Sequence, residues 1–80
     1  MDPAEITRLI EAGFANANVR VESDDNTHFA ALVVADEFEG VRKLQRHQMV
    51  YKTLGSLVGN EIHALSLRTL TPAEFAEQAG

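Results

Sequence analysis

Apolar residues in this chain recur at two spacings, and the switches between them divide it into six elements. Near the start, Ile6, Leu9, Ile10 and Phe14 fall at i, i+3, i+4 and i+8, the stripe of an amphipathic helix. Asp2-Pro3-Ala4-Glu5 supplies its beginning: an N-cap carboxylate, a proline suited to the first turn and a glutamate spaced for a capping box. Gly13 and the "NAN" of 16–18 end it. "VRVES" alternates as a half-buried strand does. "DDNT" has turn composition, and "HFAALVVAD" reads as a second strand, apolar on both faces, that closes a hairpin. After the break at "EFEG" the spacing returns to three and four. Leu44, His47, Val50, Tyr51, Leu54, Leu57 and Val58 predict a helix over 41–58, capped by Gly59. Arg42, Lys43, Arg46 and Lys52 fall off that stripe, onto a basic outer face. "IHALSLRT" is the third strand, opened by His63, and "TPAEF" repeats the helix-start chemistry of "DPAEI". Nothing else repeats, so the two are separate capping boxes. The order α-β-β-α-β-α predicts one α+β domain over 1–80, a three-stranded sheet with helices packed on one face.

Composition narrows the function classes. Eighty residues lie at the low end of what buries an independent core, and an apolar content of 45% makes one feasible. With no cysteine, the chain has no disulfide, no Cys-based zinc finger, no thiol nucleophile and no self-sufficient thiolate iron–sulfur site. No apolar run approaches the ~20 residues of a membrane span. The first residues also lack a signal peptide's basic start and apolar middle. The expectation is a soluble cytoplasmic protein with no membrane partner. The net charge of −5 is unevenly placed. Residues 40–60 carry four basic side chains and no acidic one, while the rest carry three basic and twelve acidic, a net of −9. A positive stripe on an acidic body is a candidate docking face for an anionic partner, with an ordinary solvated helix face as the alternative, and it is a small footprint for nucleic acid.

Catalytic constellations are absent: there is no Gly-rich phosphate loop, and no Ser–His–Asp set can be placed. Asp24 and Asp25 sit in a polar turn and read as solvated. Gly40 falls at a strand-to-helix turn, where glycine relieves backbone strain. His47, on the apolar side of its helix, reads as a packed histidine hydrogen-bonded to backbone. His28 and His63 open the second and third strands, which can bring both to one end of the sheet. Two imidazoles cannot close a zinc site, which wants four ligands, but they can complete a site whose other ligands a second protein supplies. Histidine also replaces cysteine on one iron of some 2Fe–2S clusters.

Taken in order, "THF" at 27–29, "FEG" at 38–40, "RHQMVY" at 46–51 and "IHALSLRTLTPAEF" at 62–75 resemble the BolA family, particularly its short IbaG-like branch. The resemblance runs from the first helix to Phe75. It implies a class II KH-like fold and a non-enzymatic adaptor role in iron–sulfur trafficking and iron homeostasis. It further implies a monothiol glutaredoxin partner that shares a 2Fe–2S cluster with the BolA-like protein, using a cysteine and glutathione. No cluster is expected in the isolated apo protein, for which a homodimer stays open. His63 matches the family's C-terminal ligand. Many members carry a separate His or Cys in the loop between the first two strands; "SDDNT" has neither. His28 is then the imidazole available for the second position, with Asp24, Asp25 or a water as alternatives. Arg46 and His47 match the family pattern on the long helix, and the expectation is that Arg46 serves the partner surface and His47 braces the fold. DNA-binding transcriptional regulation through the basic helix 41–58, with Arg42, Lys43, Arg46 and Lys52 on phosphates, is the competing class. The segment lacks the Gly-x-x-Gly clamp of KH domains.

Overall fold

The computed structural model describes residues 1–79. Helix α1 (Pro3–Ala12) starts where Asp2, in extended conformation, accepts the Glu5 amide on its side chain at 3.1 Å. Ile6, Ile10 and Phe14 are buried, as their spacing requires. Gly13 ends the helix for a packing reason. A Cβ there would overlap the Thr53 methyl group, so the missing side chain lets the next long helix approach.

Strands β1 (Ala17–Glu22) and β2 (His28–Ala35) form the expected antiparallel hairpin, from Glu22 opposite Ala30 to Ala17 opposite Ala35. A short 3-10 turn, Asp36–Phe38, follows and sinks Phe38 into the core, edge-on to Phe14 at 5.4 Å. Gly40 has φ +72°, a left-handed conformation that L side chains rarely adopt, which accounts for glycine between strand and helix.

Helix α2 (Lys43–Leu54) is shorter than the predicted 41–58. Gly55 at φ +58° stops it, a 3-10 turn takes Gly55–Leu57, and Gly59 serves a later turn instead. Its inward stripe also differs from the expected one. Val50 and Leu54 are buried and Met49 packs against the core, but Leu44 is 71% exposed and Tyr51 faces outward. The inner position one turn before Val50 belongs to Arg46.

Strand β3 (Ala64–Leu70) pairs parallel to β2, giving the sheet order β1-β2-β3. Helix α3 (Pro72–Ala79) begins with a complete capping box: the Thr71 hydroxyl accepts the Glu74 amide at 3.1 Å, and Glu74 accepts the Thr71 amide at 2.8 Å. At α1 only the Asp2 half of that box appears among the described residues. The α+β, class II KH-like order α-β-β-α-β-α is therefore present around one sheet. Phe29, Ala31 and Val33 of β2 point into the core with Ile6, Ile10, Val50 and Leu54, so α1 and α2 form the layer on that face. The third helix departs from the expectation of helices on one face and packs on the other side. Phe75 lines a cleft with Arg20 and Leu32, and Arg68 hydrogen-bonds Gln78, all from positions that alternate with the core-facing ones. This explains the burial of Val34, on the same outward row of β2 as Leu32.

Candidate functional site

The hairpin loop and the entry to β3 meet at one end of the sheet. Ser23 organises the loop: its hydroxyl donates to the His28 carbonyl at 2.7 Å and accepts the Asn26 amide at 2.9 Å. Asn26 takes φ +59°, which asparagine tolerates better than most residues. Asp25 closes the loop from inside. Its Oδ1 accepts the backbone amides of Thr27 at 3.0 Å and His28 at 2.9 Å, and its Oδ2 lies 2.8 Å from Nδ1 of His28. The amide of His28, its imidazole and the amide of Thr27 hold the Asp25 carboxyl well below the usual carboxylate range.

His63 approaches from the other chain segment. Ile62, fully buried, anchors the turn, bridging to Val58 and donating its amide to Leu57. The next residue is turned to solvent. His63 and Ala64 both donate their amides to the Thr27 carbonyl, at 3.0 and 3.2 Å, which ties the loop to the start of β3. His63 thus precedes β3 by one residue rather than opening it. The rings of His28 and His63 stand edge to face, with centroids 5.4 Å apart. Both histidines are exposed, and an open groove of about 500 Å³ runs beside His28 between Asp24 and Ser66. The two imidazoles are brought together as their strand positions suggested.

Other candidates separate. Arg42, Lys43 and Lys52 are exposed on α2, as expected of the basic stripe. Arg46 is not part of it. Its side chain is only 12% exposed, and its Nε donates to the Val41 carbonyl at 2.7 Å. One terminal nitrogen donates to the Thr69 carbonyl at 3.2 Å and to Glu74 Oε1 at 2.7 Å, the other to Glu74 Oε2 at 3.4 Å. The guanidinium carbon also sits 5.7 Å from the Phe38 ring centroid. Arg46 therefore joins α2, β3 and α3 from within. The reason is positional: it shares the face of Val50, and its fork is spent on internal acceptors. His47 is packed, as read, but its Nε2 is buried without a hydrogen-bond partner, not bonded to backbone. Burial, with the nearby Lys43 charge, pushes its pKa below the ordinary 6.5.

The matching family model is that of the BolA-like proteins, over residues 8–74. The chain belongs to the BolA family. It is similar to human BolA-like protein 1, 39% identical over 59 residues that make 74% of this chain and 43% of the relative. It is similar as well to the DNA-binding transcriptional regulator BolA of Escherichia coli K12, 40% identical over 55 residues, 69% of this chain and 52% of that one. The chain thus spans about half the length of these curated relatives. A solved structure of a BolA homologue from Coxiella burnetii superposes with a TM-score of 0.84 at 42% identity, covering 95% of this chain and 97% of the other.

Sequence reasoning missed Asp25 as an organiser and Glu74 as the partner of Arg46. Ser23, Asp25 and Thr27 at alternate positions before His28 are the residue types that fold back on nearby amides, so the loop carried a readable signal. Glu74 lies 28 residues from Arg46, and no local pattern links them.

Proposed function

We propose that this BolA-family domain is a non-enzymatic adaptor that shares a 2Fe–2S cluster with a monothiol glutaredoxin, with His63 and His28 as its two ligands. The observation that carries the reading is the adjacency of two exposed imidazoles, 5.4 Å apart, on a loop and strand end tied together by backbone hydrogen bonds. The donor set fits half of a cluster site. It offers two imidazoles and no thiolate, and no group of three or more His, Cys, Asp or Glu able to hold a metal occurs among the described residues. Such a half-site needs a partner to supply the remaining ligands, here a cysteine and glutathione. Bound there, the cluster is cargo for handover or a sensor of iron supply. The chain's own part is to present both rings to the partner on a firm base. Docking of a protein over α2 suits the exposed Leu44 and Tyr51 together with the exposed Arg42 and Lys43.

One observation favours the second reading, DNA binding. Arg42 and Lys43 stand at the N-terminus of α2, where the helix dipole disfavours cations. A bound phosphate would offset that cost, and a relative carries the name of a DNA-binding regulator. Separation is direct. The cluster reading expects anaerobic reconstitution with a monothiol glutaredoxin and glutathione to give a heterodimer spectrum distinct from that of the glutaredoxin homodimer, lost in His63→Ala. DNA binding instead expects a shifted duplex whose affinity falls steeply with salt and with charge reversal at Arg42 and Lys43. A cluster complex unaffected by His63→Ala contradicts the adaptor reading.

A further inference from the structure

We propose that Asp25 is the positioning residue that makes His28 usable as a ligand, by holding the ring proton on Nδ1 and leaving the Nε2 lone pair free; the inference rests on the ligand reading of His28 above. The loop fixes which oxygen does this. Oδ1 is taken by the amides of Thr27 and His28, at 3.0 and 2.9 Å, so Oδ2 is turned onto Nδ1 at 2.8 Å. A carboxylate only accepts, so the neutral ring must donate from Nδ1 and keep its acceptor at Nε2. One competitor exists. The Thr27 hydroxyl lies 3.2 Å from the same Nδ1 and could donate to it, which would put the proton on Nε2. The carboxylate wins because its bond is shorter and charge-assisted. Histidines that bind metals commonly donate their other nitrogen to such a carboxylate, which fixes the tautomer and raises the basicity of the ligating nitrogen.

The placement also resolves the part Asp25 can play. Both its oxygens already hold partners within the loop, so it supports a ligand rather than acting as one. Ser23 clamps the same loop to the His28 carbonyl, and the Thr27 carbonyl receives the amides of His63 and Ala64. One carboxylate therefore orients His28 from a loop that is itself fastened to His63. This is how a loop without its own His or Cys can still present an oriented second nitrogen.

The test reads the tautomer in the apo protein, with no cluster or partner present. Histidine-labelled protein is examined by long-range 1H–15N correlation at a pH where both rings are neutral. Wild type and Thr27→Val are expected to carry the His28 proton on Nδ1. In Asp25→Asn the side-chain oxygen stays on the two amides and the NH2 group faces Nδ1, so the proton moves to Nε2. With glutaredoxin and glutathione, Asp25→Asn should then hold the cluster roughly 10–100-fold less firmly. A backbone amide spectrum matching wild type shows that the variant folds. A wild-type proton on Nε2, or a tautomer unmoved by Asp25→Asn, overturns the proposal even if His28→Ala loses the cluster and the ligand reading stands. A tautomer that switches as expected, with His28→Ala holding the cluster as firmly as wild type, instead overturns the ligand reading and with it the role of Asp25 toward a metal.

Discussion

Strands β2 and β3 run side by side, and near each end of the pair a nitrogen side chain meets a carboxylate. At the entry, His28 meets Asp25 at 2.8 Å, the two side chains 62% and 51% exposed. Near the exit, Arg46 meets Glu74 at 2.7 Å, with Arg46 only 12% exposed. The register places these ends five residues apart along β2, from His28 to Val33 opposite Thr69, or about 16 Å. The pairs look alike as distances and differ in what is left over. Four of the five N–H donors of Arg46 end on Val41, Thr69 or Glu74, and the side chain is almost enclosed, so the exit end is structural. The Asp25 carboxylate uses one nitrogen of His28, and both His28 and His63 are exposed. Unspent donor capacity at an exposed position, not the presence of a charged pair, marks the end that can bind.

The largest expected effect breaks the entry end. His63→Ala should abolish the cluster-bridged complex while changing unfolding stability by no more than about 0.5 kcal/mol, since the ring is exposed. Visible circular dichroism of the complex and urea unfolding of the free protein check the two halves.

Breaking the exit end should do the reverse. Arg46→Ala leaves two backbone carbonyls without their donor and removes packing over Phe38, so it should cost about 2–3 kcal/mol in urea unfolding. Arg46→Lys should recover only part of this, because an ammonium cannot reproduce the two-pronged contact with Glu74. If Arg46→Ala instead lost the partner with no loss of stability, its assignment to the interior would fail.

The contrast between the two ends also shows where sequence reading works. Ile6, Ile10 and Phe14, the hairpin, and the return of the chain in β3 follow from spacing and turn composition, because each depends on neighbours within a few residues. The pairing of His28 with His63 was legible because both sit at the mouths of adjacent strands. Arg46 was misplaced because charge was set against periodicity. Leu44 looked like a stripe residue and Arg46 did not, yet Arg46 shares the inner face with Val50, and Leu44 is 71% exposed. Of the acceptors of Arg46, Val41 is local, but Thr69 on β3 and Glu74 on α3 are brought near only by the tertiary fold. The length of α2 failed for a local reason: Gly55 adopts a positive φ four residues before the expected cap.

Smaller effects follow pH. Burial and Lys43 keep the His47 pKa below 6.5, so the folded state binds fewer protons there than the unfolded chain does. Stability from this group is therefore full above about pH 6.5 and is lost as pH falls through the lowered folded value. His47→Met should flatten that slope between roughly pH 7 and 5 in urea unfolding, without a loss of stability at pH 8, since the buried Nε2 has no partner to lose. Glu74 acts in a lower window. Its bond to Arg46 and the Thr71 amide hold its carboxyl below 4.5, so its contribution fades only as pH falls below that value. Glu74→Gln should remove that dependence. The smallest effect belongs to the outer face: Lys52→Glu should change stability by no more than about 0.5 kcal/mol.

The most direct test of the contrast is one anaerobic reconstitution with a monothiol glutaredoxin and glutathione, run on wild type, His63→Ala and Arg46→Ala at a temperature where all three are folded. Wild type and Arg46→Ala are expected to give the same heterodimer circular dichroism, and His63→Ala only the glutaredoxin homodimer spectrum. A heterodimer spectrum retained by His63→Ala and lost in folded Arg46→Ala would contradict the contrast, and would move the binding function to the Arg46 end of the sheet.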